Sequence, residues 1–386
     1  MREFEQPFDV MALDAEYNLV SLVVYNKLQW TKKCLEPGVF SIELTTEQYK
    51  KEWCYIYSPA RRGLGRISQV NMRLKDNLIT VTISGRFIED DLNRMVVYPK
   101  PASEYSASVP HTSIINGPAW VGQSGTADVV AAAFFNGFKS ITYKGYDVGD
   151  YTGSTLKERT YTLDIVSGTI DTEHGDYVRA EHNRNGEYLG RKISQILKFS
   201  HAFYEVNYDY QTNIKTFDIK HGKNLTNNNN EGNNPVIFSS QNGTIASAGI
   251  VKANTDTKDN VISFRRDETN GTDVLVDGLP NSIGRFLSYE SLPLTFYYPD
   301  DHDFRVATLQ ANTNALGEHE DKVNVSFSIF GGAYQYMKDY DLGDLVTITI
   351  PEIDLDIDVQ IIGCYEVVQN GVWNLDLEFG TPIKRR

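Results

Sequence analysis

The stretch IDLDIDVQIIGCYEVVQNGVWNLDLEF, residues 353–379, decides the fold class of this chain. Asn370-Gly371 favours a two-residue hairpin turn, and the runs on either side of it are rich in β-branched and aromatic residues. The strands predicted at this end of the chain are 345–350, 353–363, 364–369 and 372–379. The chain is therefore expected to end in an antiparallel β-structure.

The beginning of this stretch alternates acidic and aliphatic residues. Asp354, Asp356 and Asp358 alternate with Ile353, Leu355 and Ile357. Successive side chains of a strand point to opposite faces, so the sequence predicts three carboxylates on one face and three core side chains on the other. The acidic face is either an ordinary solvated surface or a negatively charged surface with a function.

The first hundred residues show the same β texture. Short apolar or alternating runs are separated by turn signals such as Glu36-Pro37-Gly38 and Asp76-Asn77. The predicted strands are 19–25, 27–33, 40–44, 53–57, 63–75 and 78–84. Five or six short strands at this spacing are typical of a small antiparallel barrel or sandwich.

The middle of the chain mixes helices and strands. Thr126 is expected to cap a helix at 127–135, and residues 187–200 place Leu189, Ile193, Ile196 and Leu197 on one helical face. A hairpin is predicted around residues 211–213, and another helix at 301–316. The tract 224–234, with seven Asn in eleven residues, predicts an exposed and mobile loop because it offers little apolar surface to bury.

Composition and residue patterns argue against several classes of protein. The 386 residues carry a net charge of −14, whereas a protein that grips DNA normally has a basic face. The three cysteines, Cys34, Cys54 and Cys364, are far apart and indicate free, buried thiols rather than a disulfide framework. The start of the chain does not resemble a signal peptide, and no apolar run reaches the roughly 18 residues that a membrane-spanning helix needs.

Candidates for a catalytic or metal site are weak. The acidic clusters that contain a histidine are Asp300-Asp301-His302-Asp303, Glu318-His319-Glu320-Asp321, and Asp171 with Glu173 and His174. We interpret them as helix caps or solvated loops. Gly63-Leu64-Gly65 lacks the third glycine of a dinucleotide site, and no metalloprotease, serine-hydrolase or Walker motif occurs. The sequence therefore predicts no enzyme, no cofactor and no metal, although paired carboxylates of a glycosidase stay open.

Three stretches, taken in order, resemble one protein family. They are residues 25–44 followed by Gly65-Arg66-Ile67, residues 234–245 followed by 260–264, and residues 339–348 followed by Leu377-Glu378-Phe379-Gly380. Together they are similar to the baseplate hub proteins of long, non-contractile phage tails, a family that includes the front half of tail-associated lysins. The resemblance spans nearly the whole chain and consists of strand and turn patterns rather than chemistry.

The resemblance implies a mainly β fold with α+β parts. Two tail-tube-type β-barrels would be joined by α+β domains, and three chains would form a ring similar to the hub of contractile tails. The implied domains are 1–98 (N-terminal barrel), 99–220 (α+β), 221–266 with 336–386 (second barrel) and 267–335 (inserted α+β segment). Many relatives continue beyond the position of Arg386 into a needle or lytic domain, so lytic activity is not expected of this chain.

The implied function is structural. A homotrimer in the virion, made in the host cytoplasm, would adapt the hexameric tail tube to a threefold tip and close or open the DNA channel. Its partners would be the distal tail protein, other tail-tip proteins and the tape-measure protein, and DNA would pass without specific binding. Asp354, Asp356 and Asp358 are candidate channel-lining residues. The alternatives are a receptor- or carbohydrate-binding tip protein and a tail-associated cell-wall hydrolase.

Overall fold

The computed structural model contains two β-rich parts and an α+β part. It describes residues 9–75, 78–97, 113–116, 122–146, 156–170, 177–181, 187–198, 200–253, 258–267, 271–278, 286–290, 312, 316, 322–329, 333–369 and 371–383. Within these ranges, no helix is long and apolar enough to cross a membrane.

The first β-rich part, here the N-terminal unit, is one curled sheet. Its strands are β1 (Met11–Leu13), β2 (Leu19–Leu22), β3 (Lys27–Lys33), β4 (Val39–Thr45), β5 (Tyr55–Ser58), β6 (Gly63–Lys75) and β7 (Leu78–Phe87). The strand order β3-β4-β7-β6-β5-β1-β2 begins and ends on consecutive strands. Side chains from both ends of this order, such as Ala12 and Leu28, share a core with Trp30 and Ile42.

The second β-rich part, the C-terminal unit, follows the same plan. Its strands are β18 (Ile237–Ser239), β19 (Ile245–Ala253), β23 (Lys322–Ile329), β24 (Leu345–Ile350), β25 (Leu355–Gln369) and β26 (Val372–Phe379). The order β18-β24-β25-β26-β23-β19 again begins and ends on consecutive strands. Phe238, Val346, Val359 and Leu377 lie in its core.

The α+β part lies between the two units in sequence and packs on the first. Its elements are β8 (Val96–Val97), β9 (Ser113–Asn116), β10 (Gly122–Thr126), α1 (Ala127–Phe138), β11 (Ser140–Tyr146), β12 (Leu156–Thr162), β13 (Val166–Ile170), β14 (Tyr177–Glu181), β15 (Glu187–Tyr188), α2 (Leu189–Leu197), β16 (Ala202–Asp209) and β17 (Ile214–His221). The Phe135 ring stacks on Phe217 with centroids 4.2 Å apart. Their core continues into Leu64 of the N-terminal unit.

A separate small sheet lies, in sequence, between β19 and β23 of the C-terminal unit. It has the order β21-β20-β22, with β20 (Asn260–Asp267) paired antiparallel to β21 (Gly271–Gly278) and parallel to β22 (Phe286–Glu290).

The two β units contain a repeated substructure that is not apparent in the sequence. In each unit a strand is followed by a 3₁₀ turn that begins with proline, Pro59–Arg61 in the first and Pro351–Ile353 in the second. The next residue closes the turn in the left-handed conformation: Arg62 has φ 47° and ψ 38°, and Asp354 has φ 53° and ψ 45°. A long strand and its return strand then form a hairpin.

The hairpins match in their register as well. The pairing of the long strand shifts between Ile67 and Gln69 in β6 and between Ile361 and Gly363 in β25. Beyond the shift, seven residues run to a two-residue loop in both units. We call residues 69–75 with 78–84 the N-terminal arm, and residues 363–369 with 372–378 the C-terminal arm. Equivalent positions in the two arms differ by 294 in number, so Met72 corresponds to Glu366.

Several local predictions are confirmed. The fold is mainly β, α1 begins at Ala127, and α2 buries Leu189, Ile193, Ile196 and Leu197 as its apolar period requires. The hairpin of β16 and β17 turns at the predicted residues, and Gly371, with φ 76°, supplies the left-handed residue of the last hairpin.

Other local predictions are wrong. Helix α1 continues through Asn136-Gly137 to Phe138, because Phe138 is fully buried, and the Thr126 side chain makes no capping bond.

Among the described residues no hydrogen-bonded ladder joins β2 to β3. The two barrels, the domain boundaries and the trimeric ring therefore stay predictions.

Candidate assembly interface

The C-terminal arm joins the two units within one chain. Residues 363–369 of β25 pair antiparallel with β3, from Gly363 opposite Lys33 to Gln369 opposite Lys27. The two units thereby become one 13-stranded sheet. The side chains of Cys364, Glu366 and Val368 point from the arm into the protein and are buried. The contact between units is therefore both a strand pairing and a packed interface.

Glu366 is the charged centre of this contact. It is 2% exposed, and the Nε atom of Arg61 donates to its two carboxylate oxygens at 2.8 and 3.0 Å. The indole Nε1 of Trp373 donates to the same carboxylate at 3.0 Å. Burial raises the pKa of Glu366, and the Arg61 guanidinium opposes that rise. A buried carboxylate with three donor contacts fixes the position of the arm against the turn at Arg61.

Other ion pairs extend the contact. The Lys33 ammonium on β3 lies 3.6 Å from the Glu378 carboxylate of the C-terminal arm. Arg62, the left-handed residue of the N-terminal unit, pairs with Asp341 of the C-terminal unit. The charges that the sequence scatters along the chain are thus paired across the boundary between units.

The N-terminal arm has no such partner within the described residues. Strand β5 covers β6 only up to Arg66, so the outer edge of residues 69–75 pairs with no described strand. The arm nevertheless carries large apolar side chains on the face that continues the core: Val70, Met72, Leu74 and Ile79, all exposed. The residues of the C-terminal arm equivalent to Val70, Met72 and Leu74 are Cys364, Glu366 and Val368, and all three are buried. An exposed apolar strand edge of this length is typical of an interface.

The face of the large sheet that is turned away from the two cores is polar. It crosses the junction of the units without a break because β25 pairs directly with β3. Hydroxyl and amide side chains, such as Gln29, Ser41, Thr82 and Asn374, lie among charges of both signs: Lys27, Lys33, Arg73, Arg86, Glu43, Asp376 and Glu378. This surface is polar and carries both basic and acidic side chains.

The three predicted channel-lining residues are not one stripe. Asp354 precedes the strand and closes the 3₁₀ turn, Asp356 is exposed, and Asp358 is only 6% exposed. The prediction that three carboxylates share a strand face is therefore wrong for Asp354, because the proline-initiated turn occupies residues 351–353. Ile353, predicted as core, is exposed for the same reason.

Asp358 is held by the segment that contains the Asn-rich tract. Its carboxylate accepts a hydrogen bond of 2.6 Å from the Thr347 hydroxyl. That hydroxyl in turn accepts a hydrogen bond of 3.0 Å from the backbone N–H of Asn227. Leu225 anchors the tract in the core, and the Asn233 side-chain amide donates to the Asn224 carbonyl. Several Asn side chains of the tract are exposed, and hydrogen bonds from its own side-chain amides connect its residues to one another.

The described residues contain no group of three or more His, Cys, Asp or Glu that could hold a metal ion. The acidic clusters that contain a histidine lie outside the described residues: those around His302 and His319, and Asp171 with Glu173 and His174. Most of the helix predicted at 301–316 lies outside them as well. Cys34 and Cys364 are buried and free, as predicted, and burial raises the pKa of both thiols. Cys54 is only partly buried.

The whole fold is similar to that of solved tail proteins. The tail protein from Neisseria meningitidis MC58 aligns with a TM-score of 0.56 at 11% identity, over 96% of this chain and 96% of its own. The 43 kDa tail protein of prophage MuSo2 from Shewanella oneidensis gives 0.55 at 12% identity, over 97% and 98%. Prophage tail protein gp18 from Listeria monocytogenes EGD-e gives 0.52 at 11% identity, over 97% and 95%. The chain therefore has the fold of these tail proteins.

Residues 9–121 and 146–381 match the family described as Siphovirus ReqiPepy6 Gp37-like protein, and the chain belongs to that family. No curated protein matches the sequence. The resemblance to siphophage tail proteins that the sequence suggested is confirmed at the level of family and fold.

Sequence reasoning missed the repeated substructure and the unpartnered arm. The two 3₁₀ turns share only their proline, and the arms share lengths rather than side chains. A signal was present: each proline lies four or five residues before a long alternating run that ends in a two-residue turn.

Proposed function

We propose that this protein is the hub of a long, non-contractile phage tail tip. Three copies form a ring in which each chain supplies two barrel-like β units, so six units face the hexameric tail tube. The observation that carries the proposal is the presence of two β units with the same turn, register shift and arm in one chain. Such a duplication lets a threefold ring offer sixfold contacts.

The hub is a structural component of the virion at the tail tip, made in the host cytoplasm. It acts as an adaptor between the tube and the tip and closes or opens the DNA channel. Its partners are the distal tail protein, other tail-tip proteins and the tape-measure protein. The proposed role is structural rather than enzymatic.

The polar sheet face is proposed to line the channel. A uniformly basic lumen would hold DNA through counterion release, whereas a face on which hydroxyl and amide groups separate basic from acidic side chains would hold it less. Each chain carries a net charge of −14, so a trimer carries three times that value and repels phosphate over about 8–10 Å at physiological salt. Asp354 and Asp356, both exposed, can contribute to the lumen, while Asp358 is too buried to do so.

The test is the mass and symmetry of the assembly. Light scattering on the purified protein should give three times the chain mass of 43.6 kDa, and class averages of the particles should show closed threefold rings. A tail tip that contains one, two or six copies of this chain would contradict the proposal.

A further inference from the structure

We propose that the N-terminal arm pairs with strand β19 of a second copy of this chain. The pairing would repeat, between chains, the contact that the C-terminal arm makes with β3 within the chain. The inference rests on the proposed hub only for the number of copies in the ring.

The chain presents both halves of the missing contact. Within the described residues, the outer edge of 69–75 pairs with no strand, and β19 pairs only with β23. In the N-terminal unit, the return strand of the arm, β7, is followed in the sheet by β4 and then by β3. In the C-terminal unit, the return strand β26 is followed by β23 and then by β19, so β19 is the equivalent of β3. The chain therefore carries both halves of a second such contact, the N-terminal arm and strand β19, at two different places.

The equivalence fixes the register of the pairing. Ser84 and Glu378 are equivalent, and their neighbours in the sheet are Ser41 on β4 and Ser326 on β23. One strand further, Ser41 lies opposite Gln29, and Ser326 lies opposite Gly249. Gln29 pairs with Val367 of the C-terminal arm, and Arg73 is the residue of the N-terminal arm equivalent to Val367. Arg73 of one copy is therefore expected opposite Gly249 of the next, and Gln69 opposite Ala253.

Side-chain exposure supports the same partner. Met72 is 59% exposed, while its counterpart Glu366 is buried against Arg61. The residue equivalent to Arg61 in the C-terminal unit is Ile353, which is 49% exposed. An apolar pair between copies thus takes the place of the ion pair within the chain, and both members are large apolar side chains that a lone chain leaves in water.

The contact joins two different surfaces of the molecule. An arm of one copy meets a strand at a different place on the next, so the contact is heterologous and generates a closed ring when the rotation per copy fits. A twofold dimer, in which the same surface meets itself, is not expected.

Disulfide trapping tests the register. Opposed residues of an antiparallel pair have Cα atoms about 4.5–5.5 Å apart, within the range of a disulfide. The full chain with Cys54→Ser is given Arg73→Cys and Gly249→Cys, or, as a second pair, Gln69→Cys and Ala253→Cys. The matched positive control is Gln29→Cys with Val367→Cys, which are opposed within one chain. The out-of-register control is Arg73→Cys with Ala253→Cys, about 13 Å apart in the proposed pairing.

Under mild oxidation, at least one of the two opposed pairs should give covalent dimers and trimers. The Gln29/Val367 control should stay monomeric in mass with its thiols consumed, and the out-of-register pair should give at least tenfold less product. A trimer that forms without cross-linking at either pair would overturn this inference and leave the ring intact. Cross-linked chains that grow beyond three copies would support the contact and contradict the proposed ring. Absence of any cross-link in folded protein contradicts the inference in every assembly state.

Discussion

Removing the Glu366 carboxylate should loosen the junction between the two β units. In Glu366→Ala, the Arg61 guanidinium, 19% exposed, and the Trp373 indole both lose their acceptor. Breaking one partner of a buried ion pair costs about 3–5 kcal/mol, because the remaining charge is left without compensation. We expect a loss at the upper end of this range, since the carboxylate receives three donor contacts and its side chain fills space in the interface.

The assay is urea unfolding followed by tryptophan fluorescence, because Trp373 lies in the junction and reports its opening. The matched control is Asp90→Ala, whose partner Arg86 is 60% exposed, and it should change the unfolding free energy by less than about 1 kcal/mol. In Arg61→Leu/Glu366→Leu neither charge is left unpaired, so most of the lost stability should return. A loss below about 1 kcal/mol in Glu366→Ala, or a double variant less stable than the single one, would refute the account of the junction.

Three further predictions address assembly, pH and catalysis. Met72→Glu should lower trimer formation at least tenfold, and adding Ile353→Arg should restore it, since the two then reproduce between copies the ion pair of the junction; sedimentation that shows no rescue would count against the contact. Burial raises the pKa of Asp344 from an ordinary 3.8 to about 6 in the folded protein. The protonated carboxyl therefore stabilises the fold fully below pH 3.8, and this stabilisation is lost as the pH rises through about 6. Thermal or urea unfolding between pH 4 and 7 should therefore show wild type losing up to about 3 kcal/mol relative to Asp344→Asn, and parallel curves would contradict this. Zymography on cell-wall substrate should be blank for the purified protein, and a cleared zone at its mass would reopen the hydrolase alternative.

The parts of the fold that the sequence predicted are those fixed by local chemistry. The apolar period of α2 and the Asn-Gly turn before Val372 depend on residue types that permit few other conformations. The mainly β class follows for the same reason, because alternation in β3, β4 and β7 leaves one buried face.

The parts that the sequence did not predict depend on tertiary contacts. Alternation at residues 353–358 indicates a strand, but Pro351 starts a turn that moves Asp354 out of it. Asp358 reads as a surface residue and is buried because the Asn-rich segment lies against Thr347. The repeat of the two units lies in backbone register and loop length, which the identities of the side chains do not record.

A cryo-electron microscopy structure of the assembled tail tip tests the trimeric hub and its inter-chain pairing together. We expect three copies of this chain in a closed ring, six β units around one channel, and residues 69–75 of each copy paired with β19 of the next. A map in which this chain is present in another number of copies, or in which the N-terminal arm of each copy lies in solvent, would contradict this expectation.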